Sequence, residues 1–264
     1  MINILLVIDD KEATTATLDF ACYVARLTAS RLTAISMQGL LYGELQADRI
    51  LNNLANLQLG QIAYHFHQRC ISRDVTTGEN IDSIENWEEL INASRYADII
   101  IVDANLSLNI DSTEGSPTHY VKKLLHEAEC PIIIAPSVFE EIDEIVLTYD
   151  NSKTSVYAIK QFAYLFPEFK NKKVIALQVN EHSGQDIEVS NQFKNWLDNH
   201  FTDIEFVMLE GDSENRLMEY LLSRHNAFIV MGGYSRNRWS RILQPSSSAA
   251  IVKLLPAPIF VAHS

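Results

Sequence analysis

Cysteine is scarce in this 264-residue chain, and the three that occur, Cys22, Cys70 and Cys130, stand far apart without a C-x-x-C pair. Such spacing excludes zinc and iron–sulfur frameworks built on clustered thiols and fits buried thiols in a reducing compartment. Nine glycines and seven prolines are too few for a collagen-like or low-complexity chain. Basic residues are in deficit, 21 against 34 acidic, for a formal charge of −13. Nucleic acid and anionic membrane surfaces both select basic patches, so neither is an expected partner. No apolar run approaches the ~18 residues of a membrane span. The opening run to Ile8 is too short for a signal peptide and has no basic residue ahead of it, so a cytoplasmic location is expected. The signatures G-x-G-x-x-G, G-x-x-x-x-G-K-[ST], S-G-G-x-D-S, H-x-G-H and K-M-S-K-S are all missing. No nucleophile-and-base constellation is visible, and no catalyst is expected. Slow nucleotide hydrolysis stays open only because catalytic geometry is spatial.

What is present is 47% apolar residues arranged as β-branched runs that alternate with helical stretches. Ile99 to Val102 and Val174 to Leu177 read as strands buried on both faces, which is the βαβ pattern of a parallel sheet. Helices are expected over residues 13–29, 45–73, 80–95, 117–127, 155–166, 187–200, 213–225 and 246–255. The pattern repeats. Ile4 to Asp9 is echoed by Ile145 to Asp150, an apolar strand ending on aspartate. Ala97 to Val102 is echoed by Ala227 to Gly232, and Gly78-Glu79-Asn80 by Gly211-Asp212-Ser213. The closing run Cys130-Pro131-Ile132-Ile133-Ile134-Ala135 returns as Ala257-Pro258-Ile259-Phe260-Val261-Ala262. A tandem duplication explains all four echoes. The halves differ in charge: residues 1–143 hold 9 basic and 21 acidic side chains, and residues 144–264 hold 12 and 13.

The residues 232–246, Gly-Gly-Tyr-Ser-Arg-Asn-Arg-Trp-Ser-Arg-Ile-Leu-Gln-Pro-Ser, with the strand-then-Asp openings and the proline-led closing strands, resemble the universal stress protein family in its tandem form. The resemblance covers essentially the whole chain. It implies an α/β fold of two tandem Rossmann-like domains of the adenine nucleotide alpha hydrolase-like kind, residues 1–139 and 140–264. Each would be a five-stranded parallel sheet flanked by helices. It also implies an intramolecular pseudo-dimer paired through the closing strands, alone or within a further homodimer.

ATP-binding members of that family carry G-x2-G-x9-G-[ST], a loop whose backbone N–H groups face phosphates at a helix N-terminus. Here Gly232 keeps the first glycine, Ser235 replaces the second, Pro245 replaces the third and Ser246 keeps the hydroxyl. A proline removes a donor aimed at phosphate, and a serine at positive φ costs about 1 kcal/mol. Arg236, Arg238 and Arg241 can offer paired donors instead, or be solvated loop charges. Ser246 and Ser247 can bind phosphate, cap the next helix, or both. In the first half, residues 103–116 keep only the closing Gly-Ser and add Asp103, Asp111 and Glu114, which repel polyphosphate.

The resemblance places adenine near Asp150 and Val179, with Asp9 and Met37 as first-half counterparts; a strand-end aspartate also serves simply to start a turn. The nucleotide-binding set is therefore Asp150, Val179, Gly232, Ser235, Arg236, Ser246 and Ser247, for ATP or another adenine nucleotide held weakly in the second half. The alternative is a nucleotide-free interaction module of the same family. His65, His67, His119 and His126 lack metal-ligand spacing. Tyr23, Trp87, Phe162 and Trp196 recur with aliphatics at helical spacing and are expected to pack in the core or between helix and sheet.

Overall fold

Strand residues Ile4 to Ile8 and Ile99 to Val102 present no polar face to water, and each is 6% exposed or less. A strand of that kind is stable only with helices on both sides of its sheet, and the βαβ connection supplies them. The computed structural model describes residues 1–8, 14–37, 49–78, 82–84, 86–106, 118–180, 189–211, 213–224, 226–232 and 257–263. The chain divides into two units, Met1–Ala135 and Pro136–Ser264.

The first unit runs β1 (Asn3–Ile8), α1 (Thr15–Leu27), β2 (Arg31–Ser36), α2 (Arg49–Ile71), β3 (Asp82–Ser83), α3 (Trp87–Ser94), β4 (Ile99–Asp103), α4 (His119–Glu127) and β5 (Ile132–Ala135). Its strands lie in the order β3-β2-β1-β4-β5, and every described pair is parallel. The second unit runs β6 (Glu144–Thr148), α5 (Lys153–Leu165), a 3₁₀ turn (Pro167–Asn171), β7 (Lys173–Asn180), α6 (Asn191–Asp198), β8 (Asp203–Glu210), α7 (Ser213–Leu222), β9 (Ala227–Gly232) and β10 (Ile259–Ala262). Its order is β10-β9-β6-β7-β8, again parallel throughout. Element for element this is the order of the first unit.

Side-chain caps decide where helices begin. Thr14, Asn86, Thr118, Ser152 and Ser190 each accept a hydrogen bond from the backbone N–H three residues on, satisfying one orphan donor of the first turn. The caps shift every expected start they set, by two residues at Thr14, Thr118 and Ser152 and by more at Asn86 and Ser190. The helix expected from 80 starts at Trp87, behind Asn86, and Asp82–Ser83 pairs instead with Ile35–Ser36. The helix expected from 187 starts at Asn191, and the one expected from 155 starts at Lys153. The helix expected over 246–255 lies outside the described residues.

The second unit's core holds Phe162, whose ring centroid lies 5.1 Å from Phe228, 5.2 Å from Phe166 and 5.5 Å from Phe260. Phe162 is therefore core, as expected. Trp87 is not: half-buried between α3 and α4, it donates from Nε1 to Glu127 at 2.6 Å and lies under the Lys123 ammonium at 4.5 Å. Trp196 is also half-buried and stacks on His200 at 3.9 Å.

Candidate functional site

In an open parallel sheet the strand order reverses direction at one point, and the connections leaving it on opposite faces open a crevice at the strand C-termini. In the second unit that point lies between β6 and β9. Leu147 pairs with Val230 and Thr148 with Leu177, so the register continued to the strand ends sets Tyr149 level with Gly232 and Asp150 level with Val179. Three residues of the sequence-derived set, Asp150, Val179 and Gly232, thus converge on one crevice. Ser235, Arg236, Ser246 and Ser247 lie outside the described residues.

Each of the three is held for a stated reason. Val179 is 8% exposed and pairs with Leu209. Asp150 is half-buried, and its Oδ1 accepts the Ser152 N–H at 2.9 Å; one carboxylate oxygen therefore forms the turn expected of a strand-end aspartate. Asn151 follows at φ 59°, and its Oδ1 accepts the Tyr149 hydroxyl at 2.8 Å. Gly232 is a matter of close approach. A Cβ there would stand 2.8 Å from Ser155 N and 2.8 Å from the Thr154 carbonyl carbon, so only glycine lets β9 end against the first turn of α5. Gly232 thus ends β9 beside a helix N-terminus and its partial positive charge.

Tyr149 and Phe193 are functional candidates that the sequence reasoning missed. Tyr149 is 3% exposed, and its ring stacks on Phe193 of α6 at 4.0 Å and 5°, which ties α6 to the crevice. No spacing signals this contact, because the residues belong to different elements.

The first unit builds its equivalent point differently. Val7 pairs with Val102, so Ile8 is level with Asp103, and Asp103 occupies the register position that Gly232 holds in the second unit. Its Oδ2 accepts from Thr14 Oγ1 at 3.1 Å and Thr17 Oγ1 at 2.9 Å, and its Oδ1 accepts the Asn105 N–H at 2.8 Å. A carboxylate of the protein itself therefore sits at the N-terminus of α1. Met37 is fully buried and donates its N–H to the Ile8 carbonyl at 2.9 Å. Asp9, Asp111 and Glu114 lie outside the described residues.

Among the described residues no group of three His, Cys, Asp or Glu side chains is poised for a metal ion, and no helix is long and apolar enough to cross a membrane. A cleft of about 400 Å³, lined by Met1, Arg26, Arg31 and Asp74 among others, opens where β1 and β2 begin. It is at the opposite end of β1 from Ile8, and among the described residues it gathers no reactive constellation.

No protein-family model matches the chain, and no curated protein matches it by sequence. Solved structures do match. A universal stress protein from Archaeoglobus fulgidus superimposes with a TM-score of 0.69 at 13% identity, covering 98% of this chain and 96% of that one. A putative universal stress protein from Pseudomonas aeruginosa does so with a TM-score of 0.58 at 15% identity, covering 99% and 93%. At that identity the likeness is one of fold, and it extends over both units.

Proposed function

We propose that this chain is a tandem universal stress protein, acting in the cytoplasm in a stress response, and that its second unit binds an adenine nucleotide weakly as a conformational ligand. The observation that carries the reading is the contrast at one register position. Gly232 sets no side chain against the α5 N-terminus, where Asp103 places a carboxylate against the α1 N-terminus. An anionic ligand meets a helix dipole and a small residue in the second unit, and a resident anion within a strongly acidic half in the first. Adenine lies toward Asp150 and Val179. The phosphates lie along the segment from Gly232 through Ser235 and Arg236 to Ser246 and Ser247. With a proline in place of one phosphate-facing glycine, the loop loses a donor worth about 1.5–3 kcal/mol to a charged acceptor, which weakens binding without abolishing it. The nucleotide is a ligand in this account, with no residue assigned to hydrolysis.

A second reading, a nucleotide-free interaction module, is favoured by the engagement of Asp150 Oδ1 with the Ser152 N–H and by the stacked Tyr149–Phe193 pair at the end of β6. Hydrogen exchange with and without saturating ATP separates the two. Protection over residues 148–155 and 227–232 supports nucleotide in the second unit. Protection confined to residues 99–106 overturns the assignment, and no protection anywhere favours the interaction module.

A further inference from the structure

Cys22 and Cys70 are 48 residues apart in sequence, yet their sulfurs lie 3.8 Å from each other, and both residues are fully buried. The approach is built by two helix faces. Asp19, Cys22 and Arg26 fall on one side of α1 at spacings of three and four, and Cys70 and Arg73 fall three apart where α2 ends. Arg73 forms an ion pair with Asp19 and donates from Nη1 to the Arg69 carbonyl. Partner numbers rise along α1 while they fall along α2, so the two segments run antiparallel, with an ion pair on one rung and a thiol pair on the next.

We propose that Cys22 and Cys70 are a dithiol–disulfide switch, oxidised by hydroperoxides, that fastens α1 to α2 in the first unit. A disulfide needs the sulfurs at about 2.05 Å, so side-chain rotation and a slight slide of α2 must bring them together by somewhat under 2 Å. Cys22 is the attacking thiol. The hydrogen bond with Cys70 lowers its pKa most, against the opposing effect of burial, and the Arg73 guanidinium lowers it further. The same hydrogen bond and burial raise that of Cys70, which stays protonated and resolves the intermediate.

The Cys22 thiolate attacks one oxygen of the hydroperoxide, the O–O bond breaks, and the departing oxygen leaves as alcohol or water with the proton that Cys22 released. Cys22 is now a sulfenic acid. The Cys70 sulfur attacks Cys22 Sγ, the S–S bond forms, and the S–O bond breaks with hydroxide leaving as water on taking the Cys70 proton. Two thiols have lost two protons and two electrons, and the peroxide has gained them. The resulting bridge closes a long loop that contains β2 and α2, the case in which a disulfide restrains the unfolded chain most. Cys130 is an internal control. It is more exposed than either member of the pair, but burial pushes its thiol up to about 12, and no second sulfur lies near it among the described residues.

The test uses the full-length protein, reduced, exposed to hydrogen peroxide or separately to diamide, denatured with N-ethylmaleimide and mapped by peptide mass spectrometry. The expected product is an intramolecular peptide pair linked through Cys22 and Cys70, while Cys130 remains alkylated. The linkage reverses with dithiothreitol, and the oxidised protein unfolds at a higher temperature than the reduced one. Cys130→Ser leaves the linkage intact. Cys70→Ser strands Cys22 as a sulfenic acid that dimedone captures. If either variant fails to fold, the wild-type mapping decides alone. Cys130 reacting first, a linkage involving Cys130, or all three thiols alkylated after oxidant would each overturn the proposal. None of these outcomes depends on whether nucleotide binds.

Discussion

Gly232→Ala is the substitution whose consequence the geometry defines most closely. The new methyl carbon would sit 2.8 Å from two backbone atoms of α5, Ser155 N and the Thr154 carbonyl carbon, against ordinary contact distances of 3.4 Å or more. Neither neighbour is a flexible side chain that can swing aside, so the end of β9 and the first turn of α5 must part by about half an ångström. Overpacking of this kind costs about 1–3 kcal/mol, and with backbone on both sides the upper half of that range applies. For a unit of this size the unfolding midpoint falls on the order of 5–15 °C. Gly60→Ala is the matched control. Gly60 is exposed in the interior of α2, with nothing within 4 Å of an added Cβ, and alanine there gains about 0.5–1 kcal/mol from helix propensity. Urea denaturation of the two variants beside wild type reads both signs at once. Equal tolerance of alanine at the two positions would refute the claim that β9 and α5 meet through a glycine.

Asp103→Ala removes the acceptor for Thr14, Thr17 and Asn105, and because the site is half-buried the loss should be about 1–2 kcal/mol; faster amide exchange in the first turn of α1 is the expected local sign. Cys130 supplies a pH dependence. Burial raises its folded-state pKa to about 12, above the unfolded thiol's ~8.5, so its contribution to stability is complete below pH ~8.5 and is lost as pH climbs towards 12. Thermal melts across that alkaline range should fall less steeply for Cys130→Ala than for wild type, and identical slopes would contradict the burial argument.

The parts of the fold that could be read from sequence are those in which one residue type settles the environment. Ile99 to Val102 can only be a strand with both faces covered, and the four echoes between the halves anticipated that the two units would share one strand order. Helix starts were misread where a polar side chain, not hydrophobic periodicity, sets the boundary. Asn86 halts what periodicity carries back to residue 80, leaving Asp82–Ser83 free to pair as β3. The strand Asp203–Glu210 drew no expectation. It lies next to β7 at the end of its unit's strand order and leaves Phe206 and Met208 partly in solvent, so it lacks the continuous apolar signature of the central strands. At the site, the strand-end positions of Asp150 and Gly232 were legible because an apolar run ends there. The carboxylate of Asp103 against Thr14 and Thr17, the Tyr149–Phe193 stack and the Cys22–Cys70 approach were not, since each joins elements whose mutual distance no local pattern encodes.

A phosphate-facing loop in the second unit, weakened and not abandoned, would show itself in calorimetric titration with ATP and AMP of wild type and of the double variant Ser235→Gly/Pro245→Gly. If Pro245 costs one charge-assisted donor and Ser235 strains a turn, as the family pattern implies, the double variant should gain on the order of 2–4 kcal/mol, less what the more flexible loop loses in ordering. ATP affinity should be at least about tenfold higher in the double variant, with AMP changed far less because it lacks the β- and γ-phosphates. Equal gains for both nucleotides, or none for either, would contradict it.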